Sequence, residues 1–100
     1  MILEHAILDI IPGQEEEFEQ AFEQAQKIVA SMPGYLSHEI HNCIEHPNRY
    51  LLMIKWQSLE DHEKNFRGSQ QYLAWKALLH HFYSPFPEVW HFQQKPALSS

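Results

Sequence analysis

The stretch RYLLMIKWQSLEDHEKNFR, residues 49–67, decides the fold of this 100-residue chain. Its opening residues are mostly apolar or β-favouring, which predicts a strand over 49–56. Ser58 is followed three residues later by Asp61, a spacing typical of a helix N-terminus, so a short helix is predicted over 59–67. A strand that passes directly into a helix indicates a mixed domain in which helices pack on a sheet.

The residues before this stretch predict a strand, a helix and a second strand. Their predicted ranges are 2–11, 14–32 and 35–44. Pro12-Gly13 ends the first strand and opens the helix, and Met32-Pro33-Gly34 ends the helix. Turn-forming residues at 45–48 separate the second strand from residues 49–56, which predicts a hairpin.

The residues after the stretch predict a second helical segment and a closing strand. Gly68 breaks the short helix, and Ser69 caps a segment predicted over 70–83. Pro85-Phe86-Pro87 ends this segment, and a strand is predicted over 88–93. The order is β-α-β-β-α-β with the second helix split in two, the ferredoxin-like pattern of an α+β fold with an antiparallel sheet.

The predicted strands carry apolar side chains on both faces, although the helices of this fold cover only one face. Packing the other face against a second copy would stabilise the pair by roughly 25 cal/mol for each Å² of apolar surface buried. We therefore expect a homodimer that forms through the sheet face.

Composition limits the classes of partner. The net charge is −6 and the seven basic residues form no stripe, so no nucleic-acid partner is expected. No apolar run is long enough to cross a membrane, and the N-terminus lacks the features of a signal peptide. The single Cys43 fits a reducing compartment, which predicts a cytoplasmic protein. Residues 1–95 are expected to form one domain, with a flexible tail over 96–100.

Aromatic and histidine residues are concentrated in one segment. Of the 13 aromatic residues, nine lie between Trp56 and Phe92, together with four of the eight histidines. Aromatic rings provide apolar walls, and histidine can carry a proton near neutral pH. A chemical site is therefore expected here, although the same rings could form only a core and an interface.

Several motifs along the chain occur together in one family. They are the Pro12-Gly13 helix start, the Met32-Pro33-Gly34-Tyr35 junction, Trp56 with Ser58-Leu59-Glu60-Asp61-His62, Phe66-Arg67 and Ser69. On these motifs the chain resembles the antibiotic biosynthesis monooxygenase-like family of dimeric α+β barrels, over about residues 2–94. The resemblance implies a homodimer with one pocket per subunit, between the helices and the sheet.

The resemblance also implies a type of chemistry. Characterised members of the family include oxygenases that use no cofactor and act on phenolic, anthrone or quinol substrates. In those enzymes the substrate is deprotonated and then reduces dioxygen directly. The protein supplies an apolar slot, a base or hydrogen-bond partner, and exclusion of water.

Two polar residues are the catalytic candidates under this resemblance. His62 shares a helical stripe with Leu59 and Phe66, so it should face the interior, where it could take a proton from an acidic phenol or anthrone. Tyr72 lies near the place where oxygenase relatives have a tyrosine that contacts the substrate oxygen. The alternatives are a buried histidine bonded to a backbone carbonyl and a tyrosine that only packs in the core.

Five further residues are candidates for substrate binding. They are Trp56, Phe66, Arg67, Trp75 and Phe82. The four aromatic rings could enclose a flat substrate, although helical spacing also explains them as core. Arg67 could anchor an anionic group, or could pair on the surface with Glu63 one helical turn earlier.

No metal site and no cofactor are expected. His80 and His81 are adjacent on a helix and cannot both face one ion, and His38 and His41 point to opposite faces of a strand. His5 and His91 lie on the first and last strands and could face a pocket or the dimer interface. The heme-degrading branch of the family needs a tryptophan and a later histidine. The matching positions here are Phe66 and Lys76, or Trp75 if the gap shifts. This argues against heme ligation, unless His80 or His81 substitutes through a different helix register.

Three functions are therefore open. The first is a cofactor-independent monooxygenase acting on a small aromatic or quinol-type substrate. The second is a non-enzymatic dimer that binds an apolar metabolite. The third, least supported by the residues, is a heme-binding or heme-degrading protein.

Overall fold

A computed structural model describes residues 1–99. The strands are β1 (Ile2–Asp9), β2 (Tyr35–Asn42), β3 (Arg49–Trp56) and β4 (Val89–Phe92). The α-helices are α1 (Glu15–Ala30) and α2 (Gln70–Leu79). A π-helical turn spans Asp61–Phe66, and short 3₁₀ turns span His80–Phe82 and Pro96–Leu98. This succession confirms the predicted α+β order with a split second helix.

The four strands form one antiparallel sheet in the order β2-β3-β1-β4. β1 and β3 are its central pair and are in register over their whole length. This is the strand order of the ferredoxin-like fold, so the predicted fold class is confirmed. β1 and β4 are neighbours, which places the first and last strands of the chain side by side.

The core lies between the sheet and the helices because alternate strand residues point to this side. Ala6, Leu8 and Ile10 point inward from the first strand segment, and Tyr50, Leu52, Ile54 and Trp56 point inward from β3. Helix α1 covers them with Phe18, Phe22, Ala25 and Val29.

Some predicted boundaries differ from those observed. β1 ends at Asp9 rather than residue 11, since Ile10 leaves the ladder to form a single bridge with Tyr83. Leu59 was expected on the buried stripe of the short helix, but it is 43% exposed. The π-helical turn changes the angle between successive residues, so Leu59 is rotated away from His62 and Phe66.

The outer face of the sheet carries apolar side chains that the helices do not cover. Ile7, Leu36, Trp90 and Phe92 are all exposed on this chain alone. Ile7 lies on the central strand β1, opposite Leu51 of β3. An apolar face of this kind is where the predicted dimer would form.

Gly34 lies in the connection between α1 and β2, at a point with no room for a side chain. Its φ is +85°, and its carbonyl accepts a hydrogen bond from Gln57 N at 2.8 Å. A Cβ on Gly34 would overlap the carboxylate of Asp61. That carboxylate accepts a hydrogen bond from Ser58 Oγ at 2.9 Å, at the start of the π-helical segment.

We expect Gly34→Ala to lower the free energy of unfolding by about 2 kcal/mol or more, through backbone strain and this overlap. Gly13 is the matched control, since its φ is +93° and no atom lies within 4 Å of its added Cβ. Gly13→Ala should cost about 1 kcal/mol, from strain alone. Urea denaturation measures both, and equal losses would mean that Asp61 moves aside freely.

Candidate functional site

A carboxyl group lies in the core on the inward face of β1. Glu4 shares the two-residue period of Ala6 and Leu8, and only 6% of its surface is exposed. Its Oε1 accepts a hydrogen bond from the indole Nε1 of Trp56 at 2.9 Å. Buried carboxyl groups are rare unless they are paired, which singles out this position.

His62 lies directly beside this carboxyl group. Its Nε2 is 3.3 Å from Glu4 Oε1, and its Nδ1 is 2.7 Å from Nε2 of His91. The imidazole stacks on the Trp56 indole, with the ring centres 5.4 Å apart. Both ring nitrogens of His62 therefore contact side chains, and neither bonds the backbone carbonyl that was considered as an alternative.

The π-helical turn and the Ser58 cap position His62. The hydroxyl of Ser58 accepts a hydrogen bond from the backbone N–H of Asp61 at 3.2 Å, which confirms the predicted cap. Arg67 N–H then bonds the carbonyl of His62 at 3.1 Å, five residues back rather than four. This wider turn directs both His62 and Phe66 toward the sheet, where each is buried.

The strand pairing brings His91 into the same cluster. His91 lies opposite Glu4 in the β1–β4 ladder and points to the same face. Its Nδ1 is 3.7 Å from a carboxylate oxygen of Glu63. Of the two roles left open for Arg67, the ion pair with Glu63 does not form within residues 1–99, and the arginine borders a cavity.

The cavity lies between the helices and the sheet and has a volume of about 70 Å³. Its polar wall includes Glu4, His62, Arg67, Tyr72, His80 and Tyr83. Its apolar wall includes Phe66, Trp75, Phe86, Leu8, Leu52 and Val89. An apolar cavity of roughly 150 Å³ is known to hold one benzene molecule, so a ring can enter here only if the wall opens.

A shallow outer depression of about 530 Å³ adjoins the cavity. The two share Arg67, Tyr72, Phe86, Pro87 and Val89 as a common wall. Phe86 is largely exposed and follows the proline-containing turn after the second helix. Phe86 thus lies in the wall between the two spaces, where an entrance would form if its ring turned.

Burial shifts the pKa values of Glu4 and His62 in opposite directions. Desolvation raises the pKa of Glu4 to about 7, and the Trp56 hydrogen bond and the Arg67 charge only partly oppose it. Desolvation also lowers the pKa of His62 to about 3, assisted by the charges of Arg67 and His91. The imidazole is therefore neutral at pH 7, beside a carboxyl group whose pKa is raised toward neutral pH, the range that suits a general base.

Burial also shifts the pKa values of two further polar groups of the wall, His80 and Tyr83, and of His91 beside His62. Desolvation lowers the pKa of His80, with a further contribution from Lys76, and it lowers the pKa of His91 although Glu63 opposes this. Burial raises the pKa of Tyr83, which keeps its phenol neutral. Arg67 is thus the positively charged side chain of the cavity wall at neutral pH.

Five of the seven sequence-predicted site residues line the cavity. They are His62, Phe66, Arg67, Tyr72 and Trp75. Trp56 and Phe82 lie behind the wall, Trp56 as the donor to Glu4 and Phe82 in contact with Phe18. Within residues 1–99, the hydroxyl of Tyr72 makes no hydrogen bond to protein, so it is available to a bound molecule.

Sequence reasoning missed Glu4 and Tyr83 as parts of this site, and it left His91 open between a pocket and the dimer interface. A signal for Glu4 was present, because strand alternation places it on the face of Ala6 and Leu8. His91 could be assigned only after the β1–β4 pairing was known.

No helix within residues 1–99 has the length and apolar character needed to cross a membrane. In the same part of the chain, no three His, Cys, Asp or Glu side chains are grouped to hold a metal ion.

The fold and the cavity define a ferredoxin-like α+β protein with a buried acid–imidazole pair between helices and sheet. Residues 1–78 match the family described as antibiotic biosynthesis monooxygenase, so the chain belongs to this family. An uncharacterised Bacillus subtilis protein, YczJ, is 53% identical over 93 residues, covering 93% of this chain and 98% of its own length.

Solved structures share the fold. A Bordetella bronchiseptica protein provisionally described as an antibiotic biosynthesis monooxygenase is 31% identical, with a TM-score of 0.89. The match covers 94% of this chain and 96% of that one. SnoaB, a cofactor-independent oxygenase from Streptomyces nogalater, is 17% identical with a TM-score of 0.81, and the match covers 99% and 98% of the two chains. At 17% identity this likeness concerns the fold alone.

Proposed function

We propose that the protein is a cofactor-independent monooxygenase that acts on a small aromatic substrate of the phenol, anthrone or quinol type. The observation that carries this proposal is the geometry of one pair: His62 Nε2 lies 3.3 Å from the Glu4 carboxyl group, and both residues line a cavity with aromatic walls. Such a pair can remove a weakly acidic proton where water is largely excluded. The family of the chain, and the fold shared with the oxygenase SnoaB, support the same chemistry.

The side chains around the pair suit an aromatic substrate that becomes an anion. Phe66 and Trp75 would flank the substrate ring, and the Tyr72 hydroxyl would hydrogen-bond its oxygen. Arg67 stands at the entrance wall, where its charge would stabilise the anion. The anion then reduces dioxygen: the substrate loses two hydrogens and gains one oxygen atom, and the second oxygen atom leaves as water.

We also propose that the protein works as a homodimer that forms through the outer face of the sheet. The exposed apolar residues of that face support this assembly. The helices and the cavity lie on the opposite side of the sheet, so each subunit would keep its own pocket. The single Cys43 supports a reducing, cytoplasmic location.

Oxygen uptake tests the proposal. In air, the wild-type protein should accelerate oxygen consumption by anthrone or a hydroquinone above the rate in buffer. His62→Ala should reduce this acceleration roughly tenfold to a hundredfold, because removing the imidazole disturbs the proton acceptor. Tyr72→Phe should reduce it less, because it removes one hydrogen bond to the substrate.

His46→Ala is the matched control, since His46 is exposed in the turn between β2 and β3 and does not line the cavity. Its rate should equal that of the wild type. Thermal stabilisation by these compounds without any oxygen uptake would contradict the oxygenase and favour a binding protein. An unchanged rate in His62→Ala would remove the site from the reaction.

A further inference from the structure

One oxygen of the buried Glu4 carboxyl group is unused by the protein. Both contacts of the carboxyl group, with Trp56 Nε1 and with His62 Nε2, are made by Oε1. Within residues 1–99, no protein donor bonds Oε2. In the same range, every fully buried side-chain nitrogen or oxygen has a partner, so Oε2 is not sealed in the core. Because Glu4 forms part of the cavity wall, Oε2 is the atom that a bound molecule can reach.

His62 is less able than Glu4 to receive a proton directly from a substrate. Its Nδ1 lies 2.7 Å from His91, its Nε2 lies 3.3 Å from Glu4, and its ring is stacked on Trp56. Turning a nitrogen toward the substrate would break one of these contacts. Each nitrogen instead faces another group that can exchange a proton with it.

The same contacts continue outward to the protein surface. His91 Nδ1 lies 3.7 Å from Glu63 Oε1. Side-chain exposure is 8% for Glu4 and 4% for His62, then rises to 17% for His91 and 46% for Glu63. Four ionisable side chains therefore form a continuous path from the closed end of the cavity to solvent.

We infer that Glu4, rather than His62, takes the proton from the substrate, and that His62, His91 and Glu63 connect this proton with solvent. The inference rests on the proposed oxygenase function, because it names the proton acceptor of that reaction. His62 and His91 are positioning and relay residues, since neither needs to touch the substrate.

The transfer balances without a further reagent. An O–H or acidic C–H bond of the substrate breaks, its electron pair stays on the substrate, and the proton forms an O–H bond at Glu4 Oε2. When the carboxyl group rotates so that its protonated oxygen faces His62, this proton passes to His62 Nε2 while the proton on His62 Nδ1 moves to His91 Nε2. The proton on His91 Nδ1 then leaves toward Glu63 and solvent. A proton that returns along this path protonates the peroxide formed with dioxygen.

Hydrogen exchange without oxygen tests the inference separately from the oxygenase reaction. Anthrone carries acidic C–H bonds, and under anaerobic conditions in D₂O its uptake of deuterium reports proton removal alone. The wild-type protein should accelerate this uptake over buffer. Glu4→Gln keeps the shape and an acceptor for Trp56 Nε1, yet it should lose the acceleration by a hundredfold or more.

Two further variants make the result decisive. Glu17→Gln removes an exposed carboxylate on α1 that does not line the cavity, and it should leave the uptake unchanged. His91→Phe should keep most of the oxygen consumption of the wild type while lowering deuterium uptake severalfold, since the abstracted proton returns before it exchanges. A purely structural histidine would lower both rates together, and that outcome would overturn the relay.

The remaining outcomes distinguish the proposal that Glu4 accepts the proton from the proposal that the protein is an oxygenase. Equal deuterium uptake in Glu4→Gln and the wild type would overturn Glu4 as the acceptor, whether or not oxygen is consumed. Exchange that depends on Glu4 without oxygen consumption in air would support Glu4 and reject the oxygenase. Circular dichroism of each variant confirms that it is folded.

Discussion

Glu4→Gln is expected to be more stable than the wild-type protein above neutral pH, by roughly 3 kcal/mol. In the wild type, desolvation raises the pKa of Glu4 from 4.5 to about 7, which means that the buried carboxylate is destabilising when it is ionised. Glutamine has the same shape, remains neutral, and still accepts the hydrogen bond from Trp56. The substitution therefore removes the burial of a charge and leaves the packing intact.

The advantage of the variant should depend on pH with a definite sign. Because the folded pKa of Glu4 exceeds the unfolded value of 4.5, the folded wild type binds the extra proton between about pH 4.5 and 7. The free energy of unfolding of the wild type has its full value below about pH 4.5 and falls as the pH rises from about 4.5 to 7. The difference between the two proteins should be near its minimum at pH 4.5 and grow by about 2–3 kcal/mol by pH 8.

His62 contributes with the opposite sign, since its pKa is lowered to about 3 and stability is lost as the pH falls below 6.5. It is present in both proteins, so the comparison isolates Glu4. Urea denaturation at pH 5, 6, 7 and 8 measures the difference. A constant difference would show that the pKa of Glu4 is ordinary, and it would also weaken the case for Glu4 as a base.

Ile7→Glu is expected to convert the dimer into a monomer. Ile7 is 40% exposed in a single chain and lies on the central strand of the outer sheet face. In a twofold dimer both copies change, so two carboxylates would be placed in an apolar interface. At about 2 kcal/mol or more for each copy, the dissociation constant should rise by roughly a thousandfold.

The matched control is Leu73→Glu, since Leu73 is 59% exposed on α2, on the helical side of the molecule. Light scattering at micromolar concentration should give twice the 11.9 kDa of one chain for the wild type and for this control. Ile7→Glu should give 11.9 kDa. A wild-type mass of one chain would reject the dimer, and a dimeric Ile7→Glu would place the interface elsewhere.

The fold could be predicted from short-range signals. Strand alternation in β3, the cap at Ser58 and the breaks at Pro12-Gly13 and Gly68 act over a few residues, and each is read directly from the chain. The outward rotation of Leu59 could not be predicted, because the π-helical turn depends on how Asp61–Phe66 packs on the sheet. Periodicity assumes a regular helix, and this turn is not regular.

The candidate site was only half predictable for a related reason. His62 and Tyr72 lie in the aromatic segment and could be selected by composition and resemblance. Glu4 and His91 are 87 positions apart in the chain and meet only through strand pairing. The topology of the sheet decides which strands are neighbours, so no local sequence pattern could indicate that Glu4 and His91 share one cluster.

The wide turn at Asp61–Phe66 makes the cavity sensitive to chain length. A π-helical turn can be regarded as an α-helix that has received one inserted residue. Deleting a residue such as Lys64 would restore regular winding and rotate the preceding side chains by about 100° relative to Phe66. Two homologues that differ by one residue in this segment would therefore present different side chains to the cavity. Aligning them by sequence identity alone would pair residues that do not occupy the same place.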